Sequence, residues 1–519
     1  MVKNIKWLLL VSLIFVACNN DDEVVVNPNS SDGLPLTAGS ANFSKYVALG
    51  DSFAAGFSDG ALFKKGQEGS YPNVLAQQFA LVGGGVFKTP LTSDNVGGLL
   101  FGGALNPAFG PRLYFNGSAP VPVSGTSTTE VFNPAVAAAG PYNNTGVPGA
   151  KSFHLLSDTY GSPEGLAGGT ANPYYVRFAP NGTTSVLAYA ASQTPTFFSL
   201  WIGENDVLGY ALAGGVTKSQ DPVKGDDITP TATFDFAYST LIAKLTEKGA
   251  KGVVANLPYV SAFPFFTTVP TNPVPLDATN AATLNGLFGP LNGLFASLGE
   301  TTPRFATLSA SATNQLLIID ETLTPRAAAI KAALTPTYGP TYAGLIGDIF
   351  SQARHASNVV GSKDYILLST RGVIGKPVNG VDPNTTVIIP PFGPFKVLGV
   401  SYPLVDRHVL TADEALQLKV ATDAYNVTIK AIADSKGLAF VDTKAVMDQL
   451  VSGGIAANGF TVTNIYVTGG GFSLDGVHPS PRGYALIANK FLEAINAKYG
   501  SNSKGVNLGD YRILFPSSL

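Results

Sequence analysis

Cysteine and charge are both scarce in this chain of 519 residues. Its one cysteine, Cys18, excludes an internal disulfide framework and a zinc site built from several thiolates. Only 13% of the residues are charged, against roughly 25% in an ordinary soluble domain, so the folded surface must be unusually neutral. The 32 basic residues do not outnumber the 35 acidic ones, and we therefore predict no nucleic-acid partner.

Apolar residues and loop-forming residues are abundant instead. Hydrophobic residues make up 45% of the chain, which excludes global disorder, because disorder requires low hydrophobicity and high net charge. The 57 glycines and 36 prolines indicate many loops between the regular elements. The length is compatible with several domains or with one core that carries large insertions.

The N-terminus carries the pattern of an export signal. Two lysines precede an apolar run at residues 7–17, which is too short to span about 30 Å of hydrocarbon, and Cys18 follows directly. The pattern resembles a bacterial lipoprotein signal, with an acidic start like that of Bacteroidetes surface lipoproteins; an ordinary secretory signal is the alternative. The resemblance implies a signal peptide at 1–17, lipidation of Cys18, and an outer-membrane lipoprotein on the periplasmic or cell-surface face. The polar residues 18–40 predict a flexible tether.

The rest of the chain alternates between strand and helix patterns. Short apolar runs predict buried strands at 45–49, 196–202, 252–257 and 438–441. Amphipathic periodicity and capping residues predict helices at 236–248, 411–434 and 480–498. Strands that alternate with helices predict an α/β fold with a mostly parallel sheet.

Two long segments, 83–144 and 259–410, interrupt this alternation. Within the second, the sequence Leu-Asn-Gly-Leu-Phe occurs at 284–288 and again at 291–295, a spacing that places both copies on similar faces of a helix. One interpretation is a stripe that faces the core of an inserted helical subdomain. The other is a mobile apolar lid, in which case part of 259–410 should border a substrate cleft with Phe and Leu side chains.

One of the four histidines stands in a sequence suited to catalysis. His478 follows Asp475 by three residues, so the carboxylate can orient one ring nitrogen while the other faces outward. Ser52 follows a predicted strand, where open α/β sheets bind their ligands. A serine nucleophile needs such a base and carboxylate, together with donors for the oxyanion. For His355 and His408 we expect surface positions.

Four sequence blocks resemble those of the SGNH/GDSL-family hydrolases, in the order of that family. They are Gly-Asp-Ser at 50–52, Asn-Thr-Gly-Val-Pro-Gly-Ala at 144–150, Gly-Glu-Asn-Asp at 203–206 and Asp-Gly-Val-His at 475–478. The resemblance implies a flavodoxin-like three-layer α/β sandwich with a mostly parallel sheet. The implied hydrolase domain spans 41–500 with insertions at about 83–144 and 259–410, and a C-terminal extension follows at 501–519.

The resemblance also implies a role for each matching residue. Ser52 is the nucleophile, His478 the base and Asp475 the orienting carboxylate. The oxyanion hole consists of the backbone N–H groups of Ser52 and Gly149 and the side-chain amide of Asn205. Neither a metal nor a cofactor is implied.

We therefore predict a serine esterase or lipase that hydrolyses carboxylic esters and is held to the membrane by its lipid anchor. The apolar segment 259–410 and the anchor favour lipidic or long-acyl esters, while deacetylation of an acylated carbohydrate is an alternative. A non-catalytic lipid- or glycan-binding lipoprotein of the same fold is another. The intact Ser52, Asp475 and His478 argue against that last possibility.

Overall fold

The computed structural model describes residues 29–216, 226–378 and 396–519. The predicted signal peptide, Cys18 and the first part of the predicted tether lie outside the described residues. At the centre of the fold is a five-stranded, entirely parallel sheet flanked by helices. This architecture is compatible with a three-layer α/β sandwich.

The sheet strands are β1 (Tyr46–Gly50), β2 (Asn144–Gly146), β3 (Phe197–Trp201), β4 (Lys251–Ala255) and β5 (Ala439–Val441). Their order across the sheet is β5-β4-β3-β1-β2. The four strands predicted from apolar runs are confirmed, because strands of a parallel sheet that is covered by helices are largely buried on both faces. The prediction missed β2, an edge strand of only three residues that contains no apolar run.

Helices cover the sheet. Those of the α/β domain are Ser52–Ala55, Lys64–Glu68, Tyr71–Ala80, Pro173–Val176, Val186–Ser192, Asn205–Leu212, Thr231–Thr246, Ala412–Lys436, Thr443–Ser452 and Pro481–Tyr499. Phe197 and Trp201 of β3 point towards the helices that begin at Tyr71 and Pro481, which pack against each other. The ring centroid of Phe197 lies 5.5 Å from that of Phe79, and the ring centroid of Trp201 lies 6.1 Å from that of Phe491. Short 3₁₀ turns are Ser152–Leu156, Pro163–Gly165, Val260–Ala262, Leu368–Gly372, Asp406–His408 and Leu508–Asp510.

The insertion at 83–144 is built from short hairpins. Leu100–Phe101 pairs with Ala104–Leu105, and Leu113–Phe115 pairs with Pro120–Pro122, both in antiparallel register. A short helix, Pro134–Ala138, follows them. This insertion leads directly into β2 at the sheet edge.

The insertion at 259–410 has cores of its own. Its helices are Pro264–Thr267, Ala278–Ser297 and Ala327–Phe350, and its strand pairs are Leu317–Ile319 with Ala353–His355 and Tyr365–Ile366 with Val409–Leu410. The leucines and phenylalanines of the repeated motif that are buried in the first core are Leu284, Leu287, Phe288, Leu291 and Phe295. The interpretation of the repeat as a core-facing stripe is therefore confirmed.

The asparagines of the same repeat hold a neighbouring segment against this helix. Asn285 donates to the carbonyl of Leu308 and accepts from its N–H, at 2.9 and 2.8 Å. Asn292 makes the same pair of bonds with Phe305, at 2.8 and 3.1 Å. The seven-residue spacing thus places two Leu-Phe pairs against the core and two asparagine side chains against the neighbouring segment, where each makes two hydrogen bonds.

The two ends of the described chain pair with each other. Ser31 N–H donates to the carbonyl of Asn502 at 2.8 Å, and Ser40 N–H donates to that of Tyr499 at 2.8 Å. The prediction of a flexible tether is therefore wrong for residues 29–40, because these hydrogen bonds fix the segment to the domain. The predicted C-terminal extension also packs on the fold, with Leu508 buried and the Phe515 ring 5.0 Å from Phe63.

Candidate active site

Three side chains at one edge of the sheet form a chain of hydrogen bonds. Ser52 Oγ lies 2.8 Å from His478 Nε2, and His478 Nδ1 lies 2.9 Å from Asp475 Oδ2. Ser52 is buried, and the side chains of His478 and Asp475 are 13% and 15% exposed. The structure brings together the three residues that the sequence analysis assigned as nucleophile, base and orienting carboxylate.

The turn after β1 places Ser52. Asp51 caps the short helix Ser52–Ala55 by accepting from the N–H of Phe53 at 3.0 Å, so Ser52 becomes the first residue of that helix. The strand ends at Gly50, where a Cβ atom would lie 2.4 Å from the carbonyl oxygen of Trp201. Only glycine allows this close approach of the turn to β3.

The Asp475 carboxylate is held by several donors besides the imidazole. Its Oδ1 accepts from the N–H groups of Val477 and His478, both at 2.8 Å, and its Oδ2 accepts from the N–H of Gly60 at 2.9 Å. Burial alone would raise the pKa of Asp475, but the His478 imidazole and the N–H groups of Val477 and His478 outweigh it and hold the pKa at about 2. The carboxylate therefore stays ionised, accepts from Nδ1 and leaves Nε2 free to accept the serine proton.

Several elements hold the loop that carries Asp475 and His478. Asp59 Oδ1 accepts from the N–H of Leu474 at 2.9 Å, and Tyr466 donates to the carbonyl of Leu474 at 2.5 Å. The N–H of Phe265, in the 259–410 insertion, donates to the carbonyl of Gly476 at 2.9 Å. The insertion therefore supports the loop that carries Asp475 and His478.

The predicted oxyanion donors lie beside Ser52. Gly149 has φ +81°, a conformation that favours glycine, and the Asn172 amide holds its loop by donating to the carbonyl of Pro148 at 2.8 Å. Asn205 Nδ2 lies 3.1 Å from the carbonyl of Ala150 and 3.3 Å from Asp51 Oδ2. Asn172 was missed, because a single asparagine before a proline carries no motif.

Buried carboxyl groups surround these donors, and the sequence analysis gave them no role. Burial raises the pKa of Asp51 and of Glu204, and the proximity of Asp51 raises that of Glu204 further. Asp206 accepts from both the N–H and the hydroxyl of Ser152 at 2.8 Å, which ties the segment after Gly149 to the helix that Asn205 begins. All three carboxyls belong to the sequence blocks at 50–52 and 203–206. The sequence therefore shows that they lie near the site, but only the structure shows that they are buried.

The other histidines have structural environments. His355 is buried and accepts from the N–H of Ala306 at 2.8 Å, and burial lowers its pKa to about 4. His408 is also buried, with Nδ1 at 3.2 Å from Thr370 Oγ1. The predicted surface positions of both are wrong. Each histidine points into the protein, although Arg354 before His355 is partly exposed and Arg407 before His408 is exposed. His154 is buried, with its ring stacked 4.8 Å from that of Tyr160.

Ser52, Gly149, Asn205, Asp475 and His478 all border the same cleft, whose volume is about 480 Å³. This is within the size range of small-molecule sites. The 83–144 insertion contributes residues 108–110 to its lining, whereas the 259–410 insertion contributes Phe265 but none of its described leucines. Of the Phe and Leu side chains that the lid interpretation expects at the cleft, the described part of 259–410 therefore supplies one, Phe265.

Among residues 29–216, 226–378 and 396–519, no group of three or more His, Cys, Asp or Glu side chains is placed to hold a metal ion. No helix in the same ranges is both long and apolar enough to cross a membrane.

Comparisons of the chain with protein-family models, with curated proteins and with solved structures find no match. The assignment of the chain to the SGNH/GDSL family therefore remains a prediction from its four sequence blocks.

Proposed function

We propose that this protein is a serine hydrolase of carboxylic esters, of the SGNH/GDSL type, and that it acts as an outer-membrane lipoprotein. The observation that carries the proposal is the hydrogen-bonded chain from Ser52 through His478 to Asp475. It opens into a cleft that Gly149 and Asn205 also border. A nucleophile, an oriented base and donors for the oxyanion are what acyl transfer requires.

In the first half of the reaction, His478 Nε2 takes the proton as Ser52 Oγ attacks the ester carbonyl carbon. The negative charge that develops on the carbonyl oxygen is stabilised by the N–H groups of Ser52 and Gly149 and by the Asn205 amide. Asn205 keeps one N–H on Ala150 and turns the other from Asp51 to the oxyanion. One such donor is typically worth about 10²–10³ in rate.

The ester C–O bond then breaks and His478 gives its proton to the leaving alkoxide, which completes the first half. In the second half, a water molecule loses a proton to His478 and attacks the acyl-enzyme. The acid leaves, the proton returns to Ser52 Oγ, and the enzyme is restored. Asp475 remains ionised throughout and stabilises the imidazolium that forms in each half.

The test is hydrolysis of p-nitrophenyl esters by the purified protein. We expect turnover by the wild type and by Ser297→Ala, a control on the exposed end of an insertion helix. Ser52→Ala should lose activity by a factor of about 10³ or more. An alkyl fluorophosphonate should label the wild type at Ser52, located by mass spectrometry. Equal hydrolysis by wild type and Ser52→Ala, or no labelling of Ser52, would refute the proposal.

A further inference from the structure

A row of aromatic rings leads away from the catalytic histidine. The Phe57 ring lies 4.6 Å from that of His478 and meets Tyr174 edge-on at 6.3 Å. Tyr174 in turn meets Phe109 edge-on at 5.7 Å. Phe57, Tyr174 and Phe109 all border the cleft, and we call these three residues the aromatic wall.

The far end of the aromatic wall belongs to the 83–144 insertion and continues to the surface. The Phe109 ring stacks on Phe101 at 5.9 Å, and Phe101 meets Phe132, which is 46% exposed, at 6.0 Å. The Phe109 backbone is fixed as well, since its N–H donates to the carbonyl of Asn106 at 2.9 Å and its carbonyl accepts from Leu99. The ring is therefore held in place before any ligand binds, which lowers the cost of binding.

Most of the polar side chains that border the cleft already make hydrogen bonds within the protein. Among the described residues that border it, those outside the catalytic set have apolar side chains or are glycines, apart from Asn172 and the Tyr174 hydroxyl. Asn172 donates to the carbonyl of Pro148 and to the hydroxyl of Tyr160, and its Oδ1 accepts from the N–H of Tyr174. Asp475 is the one acidic residue of this lining, and it is bound to His478.

These polar contacts decide between the two substrate classes. A carbohydrate carries several hydroxyl groups that lose water on binding and need protein partners in return. This cleft has few partners to offer. An alkyl chain needs only apolar surface, which Leu208, Leu212 and Phe265 add to the aromatic wall.

We infer that the substrate is an ester with an extended apolar chain, and that Phe109 is a specificity-determining residue for that chain. The inference rests on the proposed esterase function. It assigns chain selection to the 83–144 insertion, whereas the sequence pattern had favoured 259–410.

The test measures kcat/KM for two ester series, one in which the acyl chain grows from acetyl to octanoyl and one in which the alcohol chain grows. Each buried methylene is worth about 0.8 kcal/mol, so kcat/KM should rise by up to about fourfold per methylene in at least one series. Phe109→Ala should lower kcat/KM for the longest ester of that series about tenfold and for the acetate less than twofold. Phe236→Ala, which removes an exposed phenylalanine from the helix Thr231–Thr246, is the matched control and should change neither.

Two results would overturn the inference. One is a wild type that cleaves short esters better than long ones in both series. The other is a Phe109→Ala variant that loses the same factor for acetate and for the longest ester. To separate this inference from the catalytic proposal, methyl octanoate and methyl acetate are titrated into Ser52→Ala by calorimetry. Tighter binding of the octanoate, weakened by Phe109→Ala in the same background, supports the apolar site even if no ester is hydrolysed.

Discussion

Replacement of Asp475 by asparagine is the sharpest test of whether this carboxylate orients His478 as the base. The carboxylate accepts from His478 Nδ1, from the N–H of Gly60 and from two N–H groups of its own loop. An asparagine can keep Oδ1 on the two loop N–H groups, but it then places an NH₂ group where Oδ2 was. That group donates to His478 Nδ1 and faces the N–H of Gly60 without accepting from it.

The imidazole is then held in the wrong tautomer. Its Nε2 carries the proton and can no longer accept one from Ser52, 2.8 Å away. An equivalent exchange in a serine protease lowers kcat by about 10⁴, which corresponds to about 5 kcal/mol of transition-state stabilisation. We expect a similar loss here, with KM little changed. Loss of the ionised acceptor, whose pKa is held at about 2, should also lower the free energy of unfolding by about 2 kcal/mol.

The loss of stability should depend on pH in a defined direction. The wild-type carboxyl has its pKa lowered to about 2, so its ionised form stabilises the fold above the ordinary pKa of about 4. That contribution, about 2 kcal/mol, is lost as pH falls towards 2, and the difference between wild type and Asp475→Asn should shrink over the same interval.

The assays for this variant are p-nitrophenyl ester kinetics and urea unfolding at several pH values. Asp442→Asn is the matched control, because Asp442 caps the helix Thr443–Ser452 and does not border the cleft. A folded Asp475→Asn that retains more than a tenth of the wild-type kcat would show that Asp475 does not orient the base.

Three further outcomes are expected. Gly149→Ala should lower kcat at least tenfold, since φ +81° strains an alanine by about 1 kcal/mol and any relaxation moves an oxyanion donor; an unchanged kcat would remove Gly149 from the oxyanion hole. Burial raises the pKa of Asp59 to about 7, so its ionisation weakens the fold as pH rises from about 4 to 7. Asp59→Asn should therefore gain stability relative to wild type over that window, by up to about 4 kcal/mol in urea unfolding, and a pH-independent difference would contradict this. Cys18→Ser should abolish lipidation, because the chain has no other cysteine, and unchanged membrane fractionation would rule out Cys18 as the anchor.

Local patterns were enough to predict four of the five strands of the central sheet and the site blocks. The apolar runs behind β1, β3, β4 and β5 reflect burial on both faces of a parallel sheet, and burial of this kind is visible in a few consecutive residues. The block at 475–478 is equally local, since Asp475 and His478 reach each other across three positions of one loop. Turn and capping residues also act within a few positions, which is why the helices predicted at 411–434 and 480–498 match Ala412–Lys436 and Pro481–Tyr499 almost to their ends. The helix predicted at 236–248 instead begins at Thr231.

Contacts between distant segments could not be predicted in the same way. The strand Asn144–Gly146 has no apolar pattern of its own and exists because β1 supplies its hydrogen-bond partners. The inward turn of His355 and the fixed position of residues 29–40 likewise depend on neighbours remote in the chain.

By itself, the sequence determined which residues could carry the chemistry, because residue type and short-range spacing decide what a nucleophile, a base or an oxyanion donor can be. Only the tertiary structure decided how they meet. It places Ser52 2.8 Å from a histidine 426 residues away, and it buries Asp51 and Glu204 beside them. It also brings Phe109 rather than the Leu-Phe repeats to the cleft. The physical reason is that burial and desolvation arise from packing among all segments at once, which no single stretch of residues records.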